Sequence, residues 1–195
     1  NWPTSSAVYY RNLNGYYPAL EGTMKLRLIS VLLATVTTSA SAQGDGGMVS
    51  SVAPLFKMVR GNVAKAAEQM PEANYGFKPT PEVRSYGQLV AHLANASYLF
   101  CSSAMGEKSP ATVDFEKSVT AKADLVKGLN EAFAYCDKAY AMSDAKAAEK
   151  MEFFGTKGNR LFVLNFNVAH DWEHYGNMVT YLRLKGLVPP SSQGN

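Results

Sequence analysis

The sequence predicts an all-α domain, a four-helix bundle. Three observations carry that prediction. Apolar residues recur at helical spacing in four long segments, prolines and glycines interrupt the chain between them, and no strand-period stretch of useful length appears. Met151 to Phe154 is the only strand candidate. At 195 residues, with 47% hydrophobic and 18% charged residues, the chain has room for one ordinary domain with a real core.

The bundle is expected over residues 43–195. Before it, Met24, Lys25 and Arg27 precede an apolar run from Leu28 to Val36, and Ala40-Ser41-Ala42 follows. A basic start, a short apolar run and an Ala-x-Ala pattern make residues 24–42 a secretory signal peptide, cleaved after Ala42. The run is too short to anchor the chain in a bilayer, which takes roughly 20 residues. Residues 1–23 read as an upstream extension that is not part of the fold. The mature product is therefore expected to be exported, periplasmic or secreted, with no membrane anchor. Setting residues 1–42 aside leaves 16 basic and 15 acidic residues, a net of +1. That balance offers no basic face for phosphates and excludes nucleic acid as the expected partner.

The first helix, about 48–70, stacks Val52, Leu55, Phe56, Val59, Val63, Ala66 and Met70 into one stripe. Pro71, Pro79 and Pro81 make an extended connection. The second helix, about 85–105, aligns Leu89, Leu93, Ala96 and Phe100 and stops at Gly106. A third covers about 116–140, with Val119, Leu125, Val126, Leu129, Phe133 and Tyr140 inside. Ser143-Asp144 caps a short turn. Asn159 caps the last helix, which runs to about Lys185, where Gly186 and Pro189-Pro190 stop it.

The chemistry-bearing residues are the three histidines, His92, His170 and His174. His170 and His174 are four apart, so both rings leave nearly the same face of the fourth helix, with Val163 and Tyr181 on that face. His92 sits at the edge of the second helix's apolar stripe. On spacing alone, two readings stay open: a ligand set for one divalent metal, or hydrogen-bonded core histidines. Three neutral imidazoles would leave a position open on a zinc-like ion, as in catalytic sites. Asp171 lies about 100° from His170 on the helical wheel and reads as solvated or paired. Glu173, nearer the face, is a candidate to orient a ligand, but a solvated role is preferred. Tyr175, Tyr181 and Trp172 read as packing residues.

Two stretches, taken together, resemble the DinB family, a broad group of metal-dependent hydrolases. The first is Lys78-Pro79-Thr80-Pro81-Glu82-Val83-Arg84-Ser85 running into Leu89-Val90-Ala91-His92. The second is His170-Asp171-Trp172-Glu173-His174-Tyr175-Gly176-Asn177-Met178 running through Tyr181-Leu182-Arg183 to Gly186-Leu187-Val188-Pro189-Pro190. The likeness spans about 48–192. It implies a bundle of up-down-down-up topology with a crossover between helices two and three. It also implies a divalent metal, zinc or nickel, on His92, His170 and His174. Enzymes of the family include thiol-dependent transferases and isomerases. Because their thiol cosubstrate is cytosolic, export favours a hydrolase of a small-molecule substrate over a transferase. The alternative is a non-catalytic metal-binding or stress-related binding protein. Homodimerisation is expected by analogy alone.

Cys101 and Cys136 could be ligands, a disulfide or two free thiols. Cys101 is nine residues beyond His92, about 13.5 Å along the axis and half a turn out of phase, so it cannot share that residue's metal. A disulfide suits an exported protein. It requires helices two and three to run parallel, which brings the two residues to matching levels.

Overall fold

The computed structural model describes residues 46–194, so the expected extension and signal peptide lie outside the described residues. Helix α1 spans Met48–Gln69, and its start is sealed by a residue far along the chain. Asp144 accepts hydrogen bonds from the backbone N–H groups of Met48 and Val49, each at 2.9 Å. These are donors that the first turn of a helix cannot satisfy internally. At the other end the Tyr86 and Tyr75 hydroxyls donate to the carbonyls of Ala66 and Ala67, both at 2.6 Å. The expected stripe is buried except for Leu55, which is exposed.

Helix α2 spans Tyr86–Met105. Ser85 and Gln88 form a reciprocal capping box at its start, and Gly106 ends it in the left-handed region at φ 75°. Arg160 donates to the Ala104 carbonyl near that end, at 2.7 Å.

The segment expected as one helix over 116–140 is two. Helix α3 spans Phe115–Ser118, Val119 is extended, and α4 spans Lys122–Ala139. The physical cause is an anchor on α2. Asn95 donates to the Asp114 carboxylate at 2.8 Å and accepts from the Phe115 N–H at 2.9 Å, which ties the short piece to α2. Lys122 then starts afresh, its ammonium donating to the Glu68 and Met70 carbonyls at 2.8 Å each. The Phe115 ring fills the space above Gly128, where a Cβ would overlap it. Gly128→Ala is therefore expected to lower stability by about 1–3 kcal/mol, against a helix-propensity gain of about 1 kcal/mol. Urea denaturation would measure the difference.

A Cβ added to Gly87 at the start of α2 would lie 3.6 Å from Leu125 at the start of α4. Near the other ends Cys101 and Cys136 form a disulfide, with Cα atoms 5.2 Å apart. The two helices therefore run in the same direction. Residues 143–159 follow: the one-turn helix α5 (Asp144–Ala147), then strands β1 (Lys150–Phe153) and β2 (Thr156–Asn159). The strands pair antiparallel, Phe153 opposite Thr156. Phe154 and Gly155 turn the hairpin with φ of 49° and 76°, a pair of left-handed residues whose twist suits a two-residue connection. The second strand was not expected, because Thr-Lys-Gly-Asn carries no apolar alternation to signal it.

Helix α6 spans Arg160–Leu184 with Asn159 as its cap, accepting from the Phe162 N–H at 2.9 Å. Gly186 follows at φ 73°. The described domain is thus mostly helical, with four long α-helices, two short ones, two 3-10 turns (Glu72–Asn74 and Pro190–Ser192) and a single small hairpin. Among the described residues no helix is long and apolar enough to cross a membrane.

Candidate metal centre

Two clamps set α2 against α6. At one end the Tyr181 hydroxyl donates to the Arg84 carbonyl at 2.6 Å; at the other, Arg160 holds Ala104. The helices therefore run antiparallel, and His92 on α2 faces His170 and His174 on α6 between the clamps. The three rings converge. His170 Nε2 lies 3.1 Å from His92 Nε2 and 3.1 Å from His174 Nε2, and one nitrogen from each ring lies within 4.8 Å of the others.

Those separations suit a metal. Two nitrogens at ~2.05 Å from a tetrahedral ion stand roughly 3.3 Å apart. The protonation pattern points the same way. His92 Nδ1 lies 3.1 Å from Glu116 Oε2, and a carboxylate only accepts, so His92 carries its proton on Nδ1 and offers a lone pair at Nε2. A single proton on His170 Nε2 would be poorly placed to serve two neighbours, whereas one cation accepts lone pairs from all three. The residues present fit a divalent ion.

Burial favours the neutral form of two of the rings, His92 and His174. Burial is the largest influence on His92 and pushes its pKa down, with the Glu116 bond opposing. Burial, joined by the charges of His170, His92 and Arg84, pushes His174 down to about 4. Burial alone would raise Glu116, but its hydrogen bonds and charge interactions with His92 and Arg84 outweigh that and hold its carboxyl below the ordinary range. Glu116 thus joins the second connection of the chain to the centre: Oε1 accepts from Arg84 Nε at 3.2 Å while Oε2 faces His92.

Glu116 was not among the expected site residues. It comes from α3, which the Asn95 anchor three residues past His92 ties to α2. Glu116→Gln is expected to lower divalent-metal affinity about tenfold, read by zinc competition titration. Glu173, the other candidate orienting group, is exposed and makes no hydrogen bond to the three rings among the described residues.

Of the two readings of Asp171, solvated or paired, the structure removes the first: the side chain is fully buried, with His170 Nδ1 3.9 Å from Oδ1. Leu164, Val168, Asp171, Tyr175, Met178 and Leu182 form the buried stripe of α6, and Asp171 is its only charged member. That i, i+3, i+4 pattern was present in the sequence, but a wheel centred on His170 hid it. Burial raises the Asp171 pKa to about 6, with the neighbouring His170 opposing the rise.

A cleft of about 450 Å³ reaches His174, bordered by Arg84, Leu89, Glu173, Asn177 and Tyr181 among others. Its size lies within the range of small-molecule sites.

The sequence model of the DinB superfamily matches residues 55–178. The chain belongs to the DinB superfamily. Solved structures of DinB-like proteins share its fold. One from Bacillus cereus ATCC 10987 is 16% identical with a TM-score of 0.63, covering 71% of this chain and 93% of its own. One from Bacillus subtilis is 22% identical with a TM-score of 0.57, covering 74% and 99%. A conserved protein from Enterococcus faecalis is 14% identical with a TM-score of 0.59, covering 71% and 97%. No curated protein is significantly similar to the chain. For a DinB-superfamily member the helical scaffold and a three-histidine cluster able to hold a metal are now in place; Cys101 and Cys136 are removed from the ligand question by bonding to each other.

Proposed function

We propose that this DinB-superfamily protein is an exported, metal-dependent hydrolase of a small molecule, built on an up-down-down-up four-helix bundle. The single observation that carries the reading is the convergence of three imidazole Nε2 atoms beside a ligand-sized cleft. Zinc or nickel suits an all-imidazole donor set. Such an ion supplies Lewis acidity and brings the pKa of water toward neutrality. The chain's own residues do the rest. His92, His170 and His174 would hold the ion through their Nε2 lone pairs. Glu116 keeps the His92 proton on Nδ1, and Arg84 steadies Glu116 from the cleft side. Leu89 and Tyr181 give the cleft an apolar wall, while Asn177 and Glu173 offer polar contacts to a substrate.

The leader pattern at residues 24–42 and the disulfide both support export, since disulfides persist in oxidising compartments. Export argues against transfer to a cytosolic thiol.

The test is elemental analysis of the mature protein, followed by a panel of ester, amide and lactone substrates with and without chelator. Stoichiometric metal with hydrolysis that chelator abolishes and zinc restores is the expected result. Stoichiometric metal without turnover on any substrate would favour a binding role in which the ion ties α2 to α6. No metal, and stability indifferent to chelator, would leave core histidines.

A further inference from the structure

Beneath the histidines lies a polar chain that the proposed reaction does not use. The hydroxyl of Tyr140, the residue that caps the end of α4, donates to the Leu164 carbonyl at 2.8 Å, which spends its only proton. It therefore accepts from Asn167 Nδ2, 3.0 Å away. The second proton of that same amide nitrogen faces Asp171 Oδ2 at 3.5 Å. Both acceptors fix the Asn167 amide with its nitrogen toward them. Asn167 and Asp171 are fully buried, and nothing donates to Asp171 Oδ1.

The nearest candidate donor is His170 Nδ1, 3.9 Å from Asp171 Oδ1 and itself buried without a partner. Two complementary orphans thus face one another about 0.7 Å beyond hydrogen-bond range. The gap is too narrow for an intervening water and closes with a small turn of the imidazole. A buried carboxylate left without a donor is costly, and so is a buried N–H left without an acceptor.

We propose that Asp171 is a positioning residue for His170: its Oδ1 takes the Nδ1–H, fixing the tautomer that aims the Nε2 lone pair at the metal. Asn167 and Tyr140 hold the carboxylate from behind, so the ligand is braced from α4 as well as α6. Glu116 does the same for His92 from the opposite side of the centre. Together they give two of the three ligands an anionic partner. A carboxylate behind an imidazole raises its donor strength and fixes its plane.

This rests on the metal reading, and the experiment separates the two. Zinc affinity by competition, and the visible absorption of the cobalt-substituted protein, would be measured for the wild type, Asp171→Asn and His170→Ala. Asp171→Asn keeps the side chain's size and removes its charge. It is expected to lower zinc affinity 10- to 100-fold and to shift the cobalt bands, while the metal-free protein stays as resistant to urea as the wild type. Zinc affinity within threefold of wild type with unchanged cobalt bands would overturn the role of Asp171 alone. Wild-type protein that takes up no metal, or a His170→Ala variant that keeps it, overturns both readings. Should Asp171→Asn fail to fold, the zinc-loaded wild type decides. A slowly exchanging, downfield Nδ1 proton on His170 by nitrogen-15 NMR is expected, and a ring protonated on Nε2 or exchanging freely at Nδ1 would overturn the proposal.

Discussion

Replacing His170 with alanine is expected to strip the chain of its divalent ion. His170 is the central member of the trio, its Nε2 3.1 Å from each of the others. Removing it leaves one imidazole on each of two helices. Structural zinc sites with four ligands bind with roughly 10–16 kcal/mol. One lost ligand then costs about 3 kcal/mol, or ~10²-fold in affinity, before any loss of chelate geometry. The effect should also appear as stability. An ion at 1,000 times its dissociation constant adds about 4 kcal/mol to the folded state. Wild-type protein should therefore gain thermal stability on adding zinc, and His170→Ala should gain little. Elemental analysis and a paired melting experiment read the two consequences independently. An alanine variant that melts with the same zinc-dependent gain would sink the site.

The second large effect concerns the bridge between α2 and α4. Cys101 and Cys136 are 35 residues apart in sequence, and both are fully buried. Tying ends that far apart removes unfolded-chain entropy worth about 4 kcal/mol in the loop-closure account. The double variant Cys101→Ala, Cys136→Ala should lose roughly 3–4 kcal/mol of unfolding free energy, read as a lower denaturant midpoint. Reducing the wild type should move it toward the same midpoint. Because Cys101 lies nine residues past His92 on α2, about 13.5 Å along the axis, metal affinity in the folded double variant should change far less than stability. Equal loss of both would show that the bridge also holds the centre.

Much of this was legible because local chemistry and global packing agree. Ser85, Asn159 and Gly186 mark helix ends through their own side chains or lack of one, and each ends a helix where expected. The His170–His174 pair could be read as sharing a face because i, i+4 spacing does so whatever the tertiary fold, whereas His92 joined it only through the family resemblance. The Cys101–Cys136 disulfide was legible only conditionally, since the two residues reach matching levels if the helices run parallel, and that topology came from the family resemblance. Glu116 was not legible: its approach to His92 depends on a long-range anchor at Asn95 and on a break in the helix that no proline or glycine announces. Leu55 failed for the opposite reason, since a helix stripe read from sequence has no information on where the neighbouring helices stop. Asp171 was half legible: solvation and pairing both fit its place on a wheel centred on His170, and only the apolar residues one turn either side, Val168 and Tyr175, exclude solvation.

The asparagine fork at residue 95 also separates what in this protein is free to vary from what is not. Because the chain is fastened again at Asp114 and Phe115, the mostly exposed stretch from Lys108 to Val113 transmits nothing to the imidazoles through the backbone. Lengthening or shortening that stretch should leave zinc uptake untouched, making it a natural place to graft a tag or a recognition peptide. The same graft two residues later would unhook the carboxylate that orients a ligand.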